Sequence, residues 1–492
     1  MRTARPARFR PALATKTFVA AAILSLGLLA ATPLPAQAPD WVTRFVPAPG
    51  ETGFLIPENP VLAANAQGQI YFVATVGPDL NNQALVLMKL DIDGSLVWSR
   101  TWGAGGIFGS RRLTLDSNEN VYIASNVRMA GGTSDDIALL KYSPSGTLLW
   151  AQVWDSANHG DERVWDMVVD GAGNAYLGGY SGDDPFGQGP RWTVLKFDAN
   201  GLLKWKKEHA TDKTVTSVEG LGLDASGTYL YAAGTVFTSS SARDDIHLVK
   251  YKTSDGSEVW TSIYNGPASG YDRAGKLLVH PSGDVWVTGR SEGLNTGYDI
   301  VTLRFASDGT LLNAPRYNGS AHADDRPLGL ASDQYGNVYL AGTITSTVGG
   351  KDLMVMKYNQ YAIGQWDRIW DGPTHMDEEI SGMVVGNTGT VYLTGSTLRA
   401  DYRSDAVTVR YDATGNLIWS AIYDGPPGGM DYGRSVVLGQ SARPVVAVQS
   451  GQTSQGVALP ADLVVIRYLN NLLREDFEQG DLSRWSWVFG TP

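Results

Sequence analysis

Apolar and polar positions alternate along most of this chain in short runs, and the runs recur at a nearly fixed interval. The segments IYFVA, VYIAS, AYLGG, LYAAG, VWVTG, VYLAG and VYLTG place an aromatic at Tyr71, Tyr122, Tyr176, Tyr231, Trp286, Tyr339 and Tyr392. The spacings are 51, 54, 55, 55, 53 and 53 residues, and VVAVQ forms a weaker eighth copy with Val446 in the aromatic's place. Further on, each copy has an apolar strand ending in a base: Lys89, Lys141, Lys196, Lys250, Arg304, Lys357, Arg410 and Arg467. A Gly-containing turn follows, as in DIDGS, SPSGT and DANGL, and then a strand with two aromatics four residues apart. Trp98/Trp102, Trp150/Trp154, Trp260/Tyr264, Trp366/Trp370 and Trp419/Tyr423 are such pairs. Residues four apart in an extended strand share a face, so each pair is one packing stripe. With the apolar stretch that precedes each aromatic strand, such as 164–169 or 274–279, the unit is four antiparallel strands in about 53 residues.

Repeated four-stranded units of this length predict a β-propeller, whose blades bury their apolar faces against one another. A linear β-solenoid is disfavoured, because its repeats are shorter and its ends need caps. The chain ends sharpen the count. The eighth copy has its third strand, DLVVIRY at 462–468, but no Trp strand after it. WVTRF at 41–45 carries the pair Trp41/Phe45 with no strands before it. The expected fold is therefore all-β: an eight-bladed β-propeller of four-stranded antiparallel blades, closed by the N-terminal strand completing the last blade. Seven blades is the alternative.

The units GNVYLAG, DIALLKYSPSGTLLW, and YDGP followed by an acid and then an Arg resemble the bacterial SBBP repeats, a β-propeller repeat family. The resemblance spans Trp41 to Tyr468 and implies a propeller in an exported bacterial protein. Eight copies exceed the seven in that family's name. A weaker similarity is to quinoprotein-like eight-bladed propellers. Their Asp and Thr before the turn are not kept together here, as Ser143-Pro144-Ser145-Gly146 illustrates, and their adjacent cysteines have no counterpart.

Composition narrows the setting. The chain has no Cys among its 492 residues, which rules out disulfides and Cys-ligated metal. Arg2, Arg5, Arg8, Arg10 and Lys16 precede an apolar run at 18–31 and small residues at 35–38, so residues 1–36 read as a cleaved signal peptide. Residues 37–469 are the propeller, and 470–492 are a C-terminal tail bearing FEQGDLSRWS. The mature chain carries 34 basic and 50 acidic residues, a net charge of −16 that repels phosphate. The expected protein is exported, extracellular or periplasmic, a monomer, with no transmembrane anchor in the mature chain and no nucleic-acid partner.

Candidate chemistry falls in the loops. Asp136, Asp245, Asp299, Asp352, Asp405 and Asp462 each stand five residues before a strand-ending base. They read either as a ring of carboxylates around the propeller mouth or as caps and ion pairs inside each blade. The loops from the Trp strand into the next blade are long and charged, and place His159, Asp161, Arg163, Asp272, Arg273, His322, Asp324, Arg326, His375, Asp377, Asp431 and Arg434 on what should be one face. Three His with carboxylates suit a divalent ion if they meet near the channel, and calcium is possible; Asp–Arg pairs knitting the blades are the alternative. No cofactor is predicted. The expected function is a binding or interaction scaffold that meets an extracellular or envelope protein or glycan through this acidic face. The alternatives are a propeller enzyme, quinoprotein-like or polysaccharide-active, with its site at the central mouth, and a structural envelope component.

Overall fold

In the computed structural model, the described residues are 37–46, 62–79, 82–128, 132, 134–157, 159–182, 190–208, 216–237, 243–348, 350–425, 429–454 and 457–470. The expected signal peptide and all of the tail beyond Asn470 lie outside them. Among the described residues, strands account for nearly all the regular structure, apart from one 3₁₀ turn at Gln440–Ala442.

Eight four-stranded antiparallel blades form an eight-bladed propeller. Blade 6 is representative, with strands Arg326–Ser332, Val338–Thr345, Lys351–Tyr358 and Gly364–Trp370 in that order across the sheet. The first strand of a blade faces the central channel and the fourth is outermost. Blades 1 and 2 depart from the pattern. The single strand Leu96–Leu115 is both the last strand of one and the first of the other, giving a seven-stranded sheet. In blade 5 the fourth strand is broken into Leu311–Asn313 and Arg316–Tyr317. Pro315 lies in the break and has no N–H for the ladder. The last blade comprises Asp431–Leu438, Pro444–Ser454, Val457–Tyr468 and the N-terminal strand Pro39–Phe45. Val42 faces Ile466 and Phe45 faces Leu463 in that register.

The recurring aromatic and base have one job, seen in blade 2. Tyr122, Lys141 and Trp150 lie side by side on adjacent strands. The two rings are 6.0 Å apart and the ammonium sits 4.8 Å from the Tyr ring centre. Trp150 Nε1 and Lys141 Nζ then both donate to the Ala199 carbonyl in the next blade's hairpin turn, at 3.0 and 3.4 Å. Tyr176, Lys196 and Trp205 repeat the arrangement onto Thr253, and Tyr339, Lys357 and Trp366 onto Ala413. Lys250 likewise reaches the Ser307 carbonyl at 2.9 Å, so these strands end in a base that crosses to the neighbouring blade, whereas Arg304 turns to Asp284 of its own blade at 2.6 Å. The seam obeys the same rule: Trp41 Nε1 donates to the Ile92 carbonyl at 3.0 Å, and Arg467 reaches the same oxygen.

The turn glycine answers to this contact. Gly146 has φ +82°, and a Cβ there would stand 2.9 Å from the Trp98 ring of the preceding blade. Backbone conformation and the neighbour's indole both demand glycine.

Candidate functional site

The loop from each fourth strand to the next blade's first strand is built on a repeated frame. A small residue, Ser156, Gly266, Gly319, Gly372 or Gly425, is followed six positions later by Glu162, Asp272, Asp325, Glu378 or Asp431. All five acids are buried. Each turns back to accept the small residue's N–H, at 3.4, 2.6, 2.6, 3.1 and 2.8 Å in chain order. Burial pushes the carboxyls of Glu162 and Glu378 up to about 7 and raises Asp272, Asp325 and Asp431 as well.

Two of these acids, Asp272 and Asp431, belong to the set expected from sequence. In three other loops the sequence reading falls on Asp161, Asp324 and Asp377, one residue before the buried acid. These three are exposed and have a different role. They accept the backbone N–H groups of Asp135, Tyr298 and Lys351 at 3.0, 3.1 and 3.0 Å, tying this loop to the one between strands two and three of the preceding blade. Arg163 and Arg273 add ion pairs between the same two loops, to Asp135 at 3.1 Å and Asp244 at 2.7 Å. The two loop sets therefore share one face, as expected. Arg326 is exposed beside Arg290, whose guanidinium is held down by burial and by the charges of Arg273 and Arg326. Arg434 lies outside the frame, at a bulge in Asp431–Leu438, where it donates to Gln449 Oε1 at 3.1 and 2.9 Å.

The histidines occupy a turn. His159, His322 and His375 have φ of 52°, 51° and 51°. Their N–H groups close tight turns onto the carbonyls of Ser156, Gly319 and Gly372 at 3.1, 3.0 and 3.1 Å. Each exposed ring bends back to its own loop, Nδ1 standing 2.6 Å from Asp155, 2.7 Å from Asn318 and 2.6 Å from Asp371. The three lie in three different blade junctions and do not meet near the channel. Shared spacing in the sequence reflected a shared left-handed turn position.

The third-strand aspartates stand two strands out from the strand lining the channel, so they ring the blades and not the mouth. Asp299 pairs with Arg316 at 2.8 Å, Asp405 with Arg399 at 3.4 Å, and Asp462 with Arg44. Asp245 is buried at the equivalent place in blade 4. Asp136 and Asp352 face further carboxylates, and Asp352 is pushed up to about 6 by burial and by the Asp371 charge.

Sequence reasoning missed the channel. First strands of six blades line a cavity of about 360 Å³, and each of these strands carries a β-bulge there. On one side Arg112 donates to Asp166 at 2.6 Å, and Lys276 Nζ donates to the Glu219 carbonyl oxygen at 3.1 Å. Although burial opposes its ionisation, Lys276 and Arg112 hold Asp166 low. Burial lifts the Glu219 carboxyl to about 8, against the pull of Ser217 and Lys276. The opposite side is apolar, with Leu328, Leu330, Met383 and Val436. These charged residues occur once each, so periodicity could not find them; the bulge that admits them is invisible in one-dimensional patterning.

No family model matches the chain, and no curated protein matches it. Among solved structures, puromycin hydrolase is 12% identical, with a TM-score of 0.45 over 86% of this chain and 62% of its own. This chain therefore spans about three-fifths of that relative's length. Prolyl oligopeptidase B from Galerina marginata is 10% identical, with a TM-score of 0.43 over 84% of this chain and 56% of its own. A protein of unknown function from Dyadobacter fermentans is 12% identical, with a TM-score of 0.38 over 89% of this chain and 100% of its own. Likeness at this level carries no information about activity.

Proposed function

We propose that this protein is an exported binding propeller of SBBP-repeat type, whose long-loop face engages a cationic patch on an extracellular or envelope partner. The supporting observation is the exposed acidic rim. Asp161, Asp324, Asp377 and Glu379 are exposed at three junctions, between blades 2 and 3, 5 and 6, and 6 and 7, while their loops are fixed from below by buried acids. A rigid loop frame that displays like charges at intervals suits electrostatic recognition of an extended surface.

The test uses the mature chain and a fluorescent oligolysine peptide, with oligoglutamate as control. The triple variant D161N/D324N/D377N keeps a carbonyl acceptor for each loop N–H and removes three charges. Oligolysine binding that weakens with salt and falls at least tenfold in the variant supports the reading. Equal binding by variant and parent, or preference for oligoglutamate, overturns it.

A second reading is favoured by the channel. Arg112, Asp166 and Lys276 come from three blades to a cavity with one polar and one apolar side, the pattern of a small-molecule or catalytic pocket. A turnover lost in D166N but kept in the rim variant would favour that enzyme reading.

A further inference from the structure

At the junctions built on this loop frame, three positions come together on the loop face: the aspartate at the start of the third strand, the residue after the fourth strand's last aromatic, and the buried acid of the frame. In three junctions all are carboxylates: Asp136/Asp155/Glu162, Asp352/Asp371/Glu378 and Asp405/Asp424/Asp431, each offering oxygens that lie within 4.8 Å of one another. Three carboxylates this close cannot all stay ionised without a cation among them.

The junctions solve this differently. Between blades 7 and 8, Arg399 spans Asp424 and Asp405 at 2.8 and 3.4 Å. Between blades 5 and 6 the middle position is Asn318, and Arg316 binds Asp299. At the closing blade Arg44 binds Asp462. Between blades 6 and 7, and between blades 2 and 3, no Lys or Arg among the described residues pairs with any of the three acids. The only basic groups there are the exposed rings of His375 and His159, on the outer oxygens of Asp371 and Asp155.

Both clusters hold unused buried acceptors. Asp352 is 3% exposed, and its Oδ1 has no hydrogen-bond partner; the buried Oδ1 of Asp371 beside it has none either. Glu162 is fully buried, and its Oε1 is likewise unpartnered. Buried anionic oxygens without donors are costly unless a ligand meets them. Two oxygens bound to one calcium ion at 2.3–2.6 Å lie at most about 5 Å apart, which matches the clusters, whereas the shorter magnesium bonds ask for tighter spacing.

We propose that Asp352, Asp371 and Glu378, and likewise Asp136, Asp155 and Glu162, are calcium sites that pin adjacent blades together where an arginine does so elsewhere in the ring. The calcium neutralises the buried carboxylates and joins the end of one blade to the start of the next. This holds whether or not the face binds a partner.

The experiment uses EDTA-treated mature protein at pH 7.5 and 0.15 M salt, titrated calorimetrically with calcium chloride and with magnesium chloride. The expected result is two calcium ions per chain with Kd of about 10⁻³ M or tighter, the range of extracellular modules, and weaker magnesium binding. D352N/D371N should bind one ion, as should D136N/D155N, and the four-site variant none. Trp370 and Trp154 directly precede Asp371 and Asp155, so terbium luminescence excited through tryptophan, and displaced by calcium, gives an independent reading on parent protein should a variant misfold. Absence of calcium binding, unchanged stoichiometry in the paired variants, or terbium emission that calcium does not displace would each overturn the proposal.

Discussion

Asp325 accepts the backbone N–H of Gly319 at 2.6 Å across a six-residue loop, and its other oxygen takes the Thr345 N–H at 2.9 Å. Asp324, one residue earlier, is exposed and accepts a single N–H from Tyr298. Adjacent acids in one sequence thus differ in what their loss costs. Asp325→Ala strands two donors beside a buried void and should destabilise by about 2–4 kcal/mol, whereas Asp324→Ala should cost about 0.5–1 kcal/mol. Urea unfolding of the two variants measures this; equal losses would contradict the assignment of roles.

The buried loop acids set a pH dependence of unusual sign. Glu162 and Glu378 sit near 7 when folded, and Asp352 and Asp405 near 6, all well above ordinary carboxylates. Between about pH 4 and 7 the folded chain holds protons that the unfolded chain has released, so these groups cost stability as pH rises. In EDTA, Glu378→Gln should therefore gain stability relative to the parent on going from pH 5 to pH 8, as read from urea midpoints. A pH-independent difference between the two proteins would rule this out.

Gly146 and Gly283 test steric demand against backbone demand. Both have positive φ, +82° and +89°, but only Gly146 faces an indole, while a Cβ at Gly283 meets open space. Gly283→Ala should cost about 1 kcal/mol for the left-handed backbone alone. Gly146→Ala must also push Trp98 from its place, and should cost about 2–4 kcal/mol. Thermal denaturation separates them by several degrees.

Trp41 carries the seam contact. Trp41→Ala should destabilise by about 2–3 kcal/mol, short of the 3–5 kcal/mol of a fully enclosed tryptophan, because this one is only half-buried. Trp41→Phe keeps the ring and loses the bond to Ile92, and should recover all but about 1 kcal/mol. If Trp41→Ala melts with the parent, the first strand does not hold the ring closed.

The repeat was legible because it is written in large side chains. Tyr122, Lys141 and Trp150 recur at fixed intervals as a packing requirement, and the unpaired Trp41/Phe45 strand announced closure. The junction between blades 1 and 2 was not legible as a continuous strand: its TWGAGGIFG segment has neither the acid nor the histidine of the other loops, so the chain runs on extended. The exposed acids Asp161, Asp324 and Asp377 were legible as loop charges, but the buried acids one residue later were not, since charge alone does not say which of two neighbouring acids turns inward. Counting six from Ser156, Gly319 or Gly372 would have found Glu162, Asp325 and Glu378. The histidine set misled because backbone handedness leaves no mark on composition.

The strand Pro39–Phe45 is made long before its partner Leu463–Tyr468, with which it pairs. Contacts of such sequence separation carry the highest closure entropy and form late. Until the two meet, the closing sheet presents a bare edge of unpaired N–H and carbonyl groups, the template on which chains aggregate. The ring thus trades a long vulnerable interval during folding for an end state in which Pro39–Phe45 is held in the sheet, and any helper that guards this chain should be needed most when the ring closes.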